Sequence, residues 1–300
     1  MWAVALAAFL VRGGILVLAV PILILPTPIG VASFIGADAV TAAGPTDRFL
    51  VMAAAAGLAL AAAVGAGFVV GAVADRVVLR AWAFDRPVAA PSFAEGRRSG
   101  AAAGVARVIA VRVVASIPLV VACAWAIPRI ATAGYRELTL PDDLATPFPL
   151  RVLAAAPEAA VAIVAGLLVT ELIAGLATVH VVVDGSSVPR SLGRVAPDLV
   201  RRPLPVLGAF LLGVTGLVVL TGIPLAVSAL AWGAARRALT AGDAVFALLA
   251  VVALSATWIA SLAAAGAVGA WRRAALASAL ARPRAEASAV PAGRVSVAAD

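Results

Sequence analysis

Hydrophobic positions along this chain neither alternate nor keep to one helical face; they run on for twenty residues and more. A helix rises 1.5 Å per residue, so about 20 apolar residues cross the hydrocarbon of a bilayer. Six stretches reach that length: 14–36, 49–74, 107–128, 153–182, 205–231 and 244–270. Between them lie clusters that break helices and favour turns: Gly44-Pro45-Thr46-Asp47-Arg48, Asp85-Arg86-Pro87, Leu140-Pro141-Asp142-Asp143 and Asp184-Gly185-Ser186-Ser187. Transmembrane strands would alternate polar and apolar over about ten residues, and these runs are apolar on every face. The pattern predicts an all-α polytopic bundle of six spans over residues 1–282. A disordered tail is expected at 283–300, where Pro, Ser, Ala and Arg follow no period.

The first 36 residues have two readings. Trp2 to Val11 suits an interfacial lead-in with Arg12 at the membrane surface, followed by an uncleaved first span. The alternative is a signal peptide, with Ala37-Asp38-Ala39 as a small-x-small cleavage site. A start without charge before position 12 argues against it.

Composition closes off the soluble classes. The 300 residues are 64% apolar and 13% charged, with a mean hydropathy of +1.10, whereas soluble domains run nearer half and a quarter. A single cysteine, Cys123, and a single histidine, His180, exclude an intrachain disulfide framework and a His/Cys zinc site. All 23 basic residues are Arg, and Lys, Asn and Gln are absent, as codon bias in a GC-rich genome produces. With the N-terminus inside, Arg12, Arg76, Arg80, Arg86, Arg97, Arg98, Arg107, Arg112, Arg190, Arg194, Arg201, Arg202, Arg272, Arg273, Arg282, Arg284 and Arg294 collect on one side. That is 17 of 23, and only Arg48, Arg129, Arg136, Arg151, Arg236 and Arg237 fall on the other. The bias predicts a multi-pass protein of a bacterial cytoplasmic membrane with both termini cytoplasmic. The formal +8 then reads as contact with anionic lipid headgroups rather than nucleic acid.

The odd spans share a pattern around Pro21, Pro118 and Pro224, which are 97 and 106 residues apart. Three parallel hairpins, each with a proline-kinked odd helix, would explain it; so would chance in an Ile- and Leu-rich chain. The mitochondrial carrier pattern is not met, because aliphatic residues follow all three prolines. The architecture resembles a broad class of six-span integral membrane proteins of GC-rich, actinobacterial-type bacteria. That class includes membrane-anchor domains fused to phosphodiester-hydrolysing enzymes. The resemblance covers most of the chain, rests on no diagnostic motif, and carries over no functional residues.

Ionisable groups at membrane depth are functional hypotheses by default. Glu171 sits about 11 residues, roughly 16 Å, from the inner end of the fourth span, and Arg112 roughly 8 Å inside the third. The two can meet across antiparallel helices, either as a neutralised clamp or with Glu171 as a proton or cation site in a transport path. His180 is expected to be an interfacial anchor, and Cys123 a packing residue. Gly67-x-x-x-Gly71, Ala61-x-x-x-Gly65 and Ala265-x-x-x-Gly269 permit close helix packing, within the chain before between chains. No metalloprotease, redox, P-loop or nucleophile-elbow motif occurs, so no catalytic, cofactor or metal residue is assigned. The expected role is a membrane-embedded scaffold or partner-binding subunit, with the 75–107 loop as docking surface. A transporter component using Glu171 and Arg112 is the alternative, and an intramembrane enzyme the third reading.

Overall fold

The computed structural model describes residues 1–22, 47–84, 101–139 and 146–288, with a few isolated positions between 27 and 45. It is an all-helical bundle, and the described residues include six helices long and apolar enough to cross a membrane. The helices described from end to end are, in chain order, α1 (Trp2–Phe9), α2 (Ile15–Ala19), α3 (Asp47–Phe84), α4 (Ala101–Ala115), α5 (Ile117–Thr139), α6 (Phe148–Ala155), α7 (Pro157–Val183), α8 (Val188–Arg201), α9 (Pro203–Ala241) and α10 (Ala244–Ser288). A two-residue ladder pairs Val40–Thr41 with Gly44–Pro45. Large apolar side chains such as Leu58, Val120, Val161, Leu204, Leu211, Leu230, Leu248 and Ile259 face outward. Such a belt is stable against lipid and not against water.

The first span differs from the expected one. Among the described residues the apolar helical stretch is Trp2–Ala19, which takes in Trp2 to Val11, expected as a surface lead-in. The remainder of 14–36 falls largely outside the described residues. Between α1 and α2 lies one π turn, Leu10–Gly14, in which Gly13 takes φ 98°. That left-handed value suits only a residue without a Cβ, and the turn bends the helix at the Gly13-Gly14 pair. The pair α1–α2 is sewn onto α10 by two indoles. Trp2 Nε1 donates to the Ala263 carbonyl and Trp258 Nε1 to the Leu18 carbonyl, both at 2.9 Å.

Other helices overrun their expected ends. Asp75 to Phe84, expected in a loop, is helical, and so is Ala101 to Arg107; residues 85–100 lie outside the described set. At the C-terminus α10 runs on to Ser288, so 283–288 are helix rather than tail, and 289–300 are not described. The three prolines occupy three different settings. Pro21 falls in the turn that ends α2, so it terminates a helix instead of kinking one. Pro118 sits in the first turn of α5, just past the turn at Ser116 that separates α4 from α5. Pro224 lies inside the continuous α9. There Ser228 Oγ donates to the Pro224 carbonyl at 2.9 Å and lies 2.7 Å from Thr257 Oγ1 of α10.

The α9–α10 hairpin closes by local chemistry. Gly242 (φ 74°) ends α9 in the left-handed conformation, and the Asp243 N–H bonds back to the Ala238 carbonyl at 2.9 Å. Asp243 Oδ1 then caps α10 by accepting the Phe246 N–H at 2.9 Å. The main core joins Leu79 of α3, Val108 and Val111 of α4, Leu176 of α7, Val206 and Phe210 of α9 and Leu276 of α10. A smaller cluster of Ala126, Ala133, Val152, Ala156 and Ala159 joins α5, α6 and α7.

Small residues set the helix spacing. Gly67 faces the Val11 carbonyl, and a Cβ there would stand 3.1 Å from it, so the Gly67-x-x-x-Gly71 motif serves packing within the chain. Gly166 of α7 meets α5 at its bend: a Cβ would lie 2.8 Å from Ala122 Cβ and 3.1 Å from the Pro118 carbonyl oxygen. Backbone cannot swing aside as a side-chain tip can. Gly166→Leu is therefore expected to force α5 and α7 apart at a cost of about 1–3 kcal/mol or more. Gly208→Ala, in a helical position with open space around it, should be neutral or stabilising by up to about 1 kcal/mol. Thermal unfolding of the two variants in one detergent checks the contrast.

Candidate functional site

The deepest polar feature grows from Asp75 on α3, whose side chain is 2% exposed. Three arginines from three segments converge on it. Arg12 of the π turn approaches Asp75 Oδ2 through Nη2 at 3.0 Å. Arg112 of α4 donates through Nε at 2.9 Å and also through Nη2. Arg273 of α10 donates through Nε to Oδ1. Glu171 of α7 continues the network: Arg272 Nη2 donates to Oε2 at 2.8 Å, and Arg112 Nη1 lies 3.7 Å from Oε1. Arg112 thus touches both carboxylates and links the two halves. Four guanidiniums and two carboxylates meet, leaving two formal positive charges over among the described residues.

Glycines make room for these side chains. A Cβ on Gly71 would stand 2.4 Å from Arg12 Nε, and one on Gly213 would stand 2.5 Å from Arg272 Cγ. The local bend matters as well. The π turn at Leu10–Gly14 starts α2 on a new line while Arg12 runs along Gly71 to Asp75. The network lies well inside its helices. Asp75 is nine residues from the end of α3 and Glu171 twelve from the end of α7, roughly 14 and 18 Å at helical rise. A cavity of about 20 Å³ opens among Asp75, Arg112, Glu171, Thr178, Arg272 and Arg273, room for a water molecule or two. The Thr178 hydroxyl in its wall is buried without a hydrogen-bond partner among the described residues.

Glu171 and Arg112 therefore do approach each other, but at the long distance. The closer partner of Glu171 is Arg272, and the closer partner of Arg112 is Asp75. Residue-level reading missed Asp75, Arg12, Arg272 and Arg273 because each stands beside the end of an apolar run, where a surface charge is the ordinary expectation. A signal was present: Val77, Val78 and Leu79 follow Asp75-Arg76 without a turn former, so the helix had no reason to stop there.

A second polar cluster sits at the end of α7. His180, 5% exposed, places Nδ1 2.9 Å from Asp184 Oδ2 and Nε2 2.6 Å from Asp198 Oδ2 of α8. Each ring nitrogen is thus within hydrogen-bond distance of a carboxylate oxygen. Arg194 Nη1 adds contacts to Asp184 Oδ2 at 3.3 Å and Ser186 Oγ at 3.2 Å. His180 anchors α8, whose apolar Val188, Leu192, Val195 and Leu199 lie against the main core, across the end of the bundle. Both His180 nitrogens are already engaged, and no grouping among the described residues has the makings of a metal site. On the opposite end Arg151 Nε donates to Glu137 Oε2 at 2.6 Å, and Arg129 stacks 3.7 Å over the Trp125 ring. Cys123 is half-buried and unbridged.

The chain matches no family model, no curated protein and no solved structure. What bears on its function is the Asp75–Glu171 network itself.

Proposed function

We propose that this chain is a membrane-embedded scaffold or partner-binding subunit, multi-pass in a bacterial cytoplasmic membrane with both termini cytoplasmic. The observation that carries the reading is Asp75, a single buried carboxylate bonded to arginines from three separate segments. The deepest charges are thereby spent on joining helices. The orientation rests on the sequence bias that assigns 17 of 23 arginines to the inner side; Arg12, Arg112, Arg272 and Arg273 are drawn into the buried network, and the others make anionic headgroups the nearest partners. Of the expected docking stretch 75–107, the part in α3 is taken up by packing within the chain, with Asp75, Arg76, Val78 and Leu79 buried, so it offers a protein partner no surface there. The likeness to six-span proteins of GC-rich bacteria accords with this architecture and supplies no activity.

The cavity between Arg112, Glu171, Arg272 and Arg273 favours a second reading, a transporter component. Its charge balance decides what such a path would carry. With four guanidiniums around two carboxylates, a proton or cation at Glu171 faces net repulsion, whereas an anion is attracted. Anion uptake into proteoliposomes separates the readings. Purified protein reconstituted in neutral lipid should leave chloride and phosphate flux at the level of protein-free vesicles. Flux above that level that disappears in Arg272→Gln would replace the scaffold reading with the transport one.

A further inference from the structure

Another buried arginine lies outside the Asp75–Glu171 network. Arg76 follows Asp75 on α3 and is only 7% exposed, yet it points to a different neighbourhood. Arg80 stands four residues on, on the same helical face. Arg107 of α4 faces them, and Val181, Val182 and Gly185 at the end of α7 complete a second cavity of about 20 Å³. Among the described residues no acidic side chain lines it. Arg76 and Arg107 make no hydrogen bond or ion pair with any described residue. A buried guanidinium with no counter-charge is costly, and neighbouring like charges raise that cost.

The backbone is shaped to keep Arg76 there. Gly104 lies one turn before Arg107 on α4, and a Cβ on it would stand 2.6 Å from Arg76 Cζ and 2.7 Å from Nη1. A Cβ there would have to push the guanidinium, the tip of a flexible side chain, away from this place. Gly185, at φ 66°, turns the chain at the mouth. The cavity lies about one to two turns nearer the arginine-rich end than the Asp75–Glu171 network, between transmembrane helices.

We infer that Arg76 and Arg107, beside Arg80, which has a partner of its own, form a binding site for a phosphate group. Guanidinium forks match the paired oxygens of phosphate and hold it through charge-assisted bonds. A cavity of about 20 Å³ takes one or two oxygens, so the phosphate sits at the mouth, and its inward oxygens replace water beside Arg76 and supply the missing counter-charge. A basic pocket between helices at the cytoplasmic surface suits a lipid phosphate headgroup, and the same chemistry accepts free phosphate.

The test uses the full chain, with Arg76→Gln, the more exposed Arg107→Gln, and Gly104→Val to push Arg76 aside. One arm titrates inorganic phosphate against chloride, at constant ionic strength in uncharged detergent, and reads the unfolding temperature. The other places the protein in nanodiscs of phosphatidylcholine with or without phosphatidic acid, and reads retained lipid by native mass spectrometry after transfer to detergent. Wild type should be stabilised by phosphate over chloride, retain phosphatidic acid, or do both, and the responding arm names the source. Each variant should weaken that response about tenfold or more, the loss expected for one charge-assisted bond. Because Arg107 is only half-buried, its variant reports binding even if Arg76→Gln fails to fold. No response in either arm, or a response unchanged in Arg107→Gln and Gly104→Val, overturns the site.

Discussion

Asp75→Ala is expected to lose about 3–5 kcal/mol of stability, the cost of breaking a buried ion pair by removing one partner. Three arginines lose Asp75 at once, with only Arg112 keeping a second carboxylate, Glu171 at 3.7 Å, and two of them, Arg112 and Arg273, are at most 10% exposed. They cannot turn to water without unpacking α4 and α10. The loss should appear as a fall on the order of 10 °C in apparent unfolding temperature in detergent. It should also loosen α1–α2, whose polar tie to α3 is the Arg12 contact. Protease sensitivity near the N-terminus reports that loosening separately. A variant that melts within about 2 °C of wild type would mean that the arginines find other partners and that Asp75 does not hold the helices together.

The second large effect concerns the sign of the excess charge. Glu171→Gln removes one of two carboxylates among four guanidiniums, raising the surplus from two positive charges to three. It leaves Arg272 without its 2.8 Å partner and also removes the weaker hold on Arg112. Arg272→Gln removes a positive charge instead and lowers the surplus to one, while Glu171 keeps Arg112. Acid removal should therefore cost about 2–3 kcal/mol and arginine removal about 1 kcal/mol or less, since hydrogen bonds to charged groups contribute about 1.5–3 kcal/mol and repulsion is relieved only in the second case. The double variant should lie close to Arg272→Gln, because two neutral amides facing each other at positions 171 and 272 leave no orphaned charge there.

Hydropathy carried most of the fold, because crossing a bilayer demands a run of apolar residues that few other needs produce. The fifth and sixth expected spans lie inside α9 and α10, and the fourth runs from the end of α6 through nearly all of α7. The same index misplaced the polar core. Asp75-Arg76 and Arg272-Arg273 each follow an apolar run, and a sum over residues scores such a pair alike whether it leaves the membrane or meets a partner inside. What distinguishes the cases is which helices are neighbours. That α10 packs near α7, bringing Arg272 to Glu171, is a fact of assembly and has no local signature. Glu171 was legible because its helix runs without a charge from 159 to 170 before it and from 172 to 179 after it, up to His180, too far for a surface charge at helical rise. The Arg12-Gly13-Gly14 bend was also visible in principle, since adjacent glycines rarely sit inside a span without a geometric reason. His180 was readable as an anchor, but its two aspartates were not, as Asp198 arrives only when α8 folds back.

The claim that an arginine-rich ion network holds this bundle together is tested most directly by comparing the thermal unfolding of Glu171→Gln and Arg272→Gln in the same detergent and salt. The network predicts that Glu171→Gln melts several degrees below Arg272→Gln, although the two variants break the same 2.8 Å pair. Equal melting temperatures, or a lower one for Arg272→Gln, would contradict it.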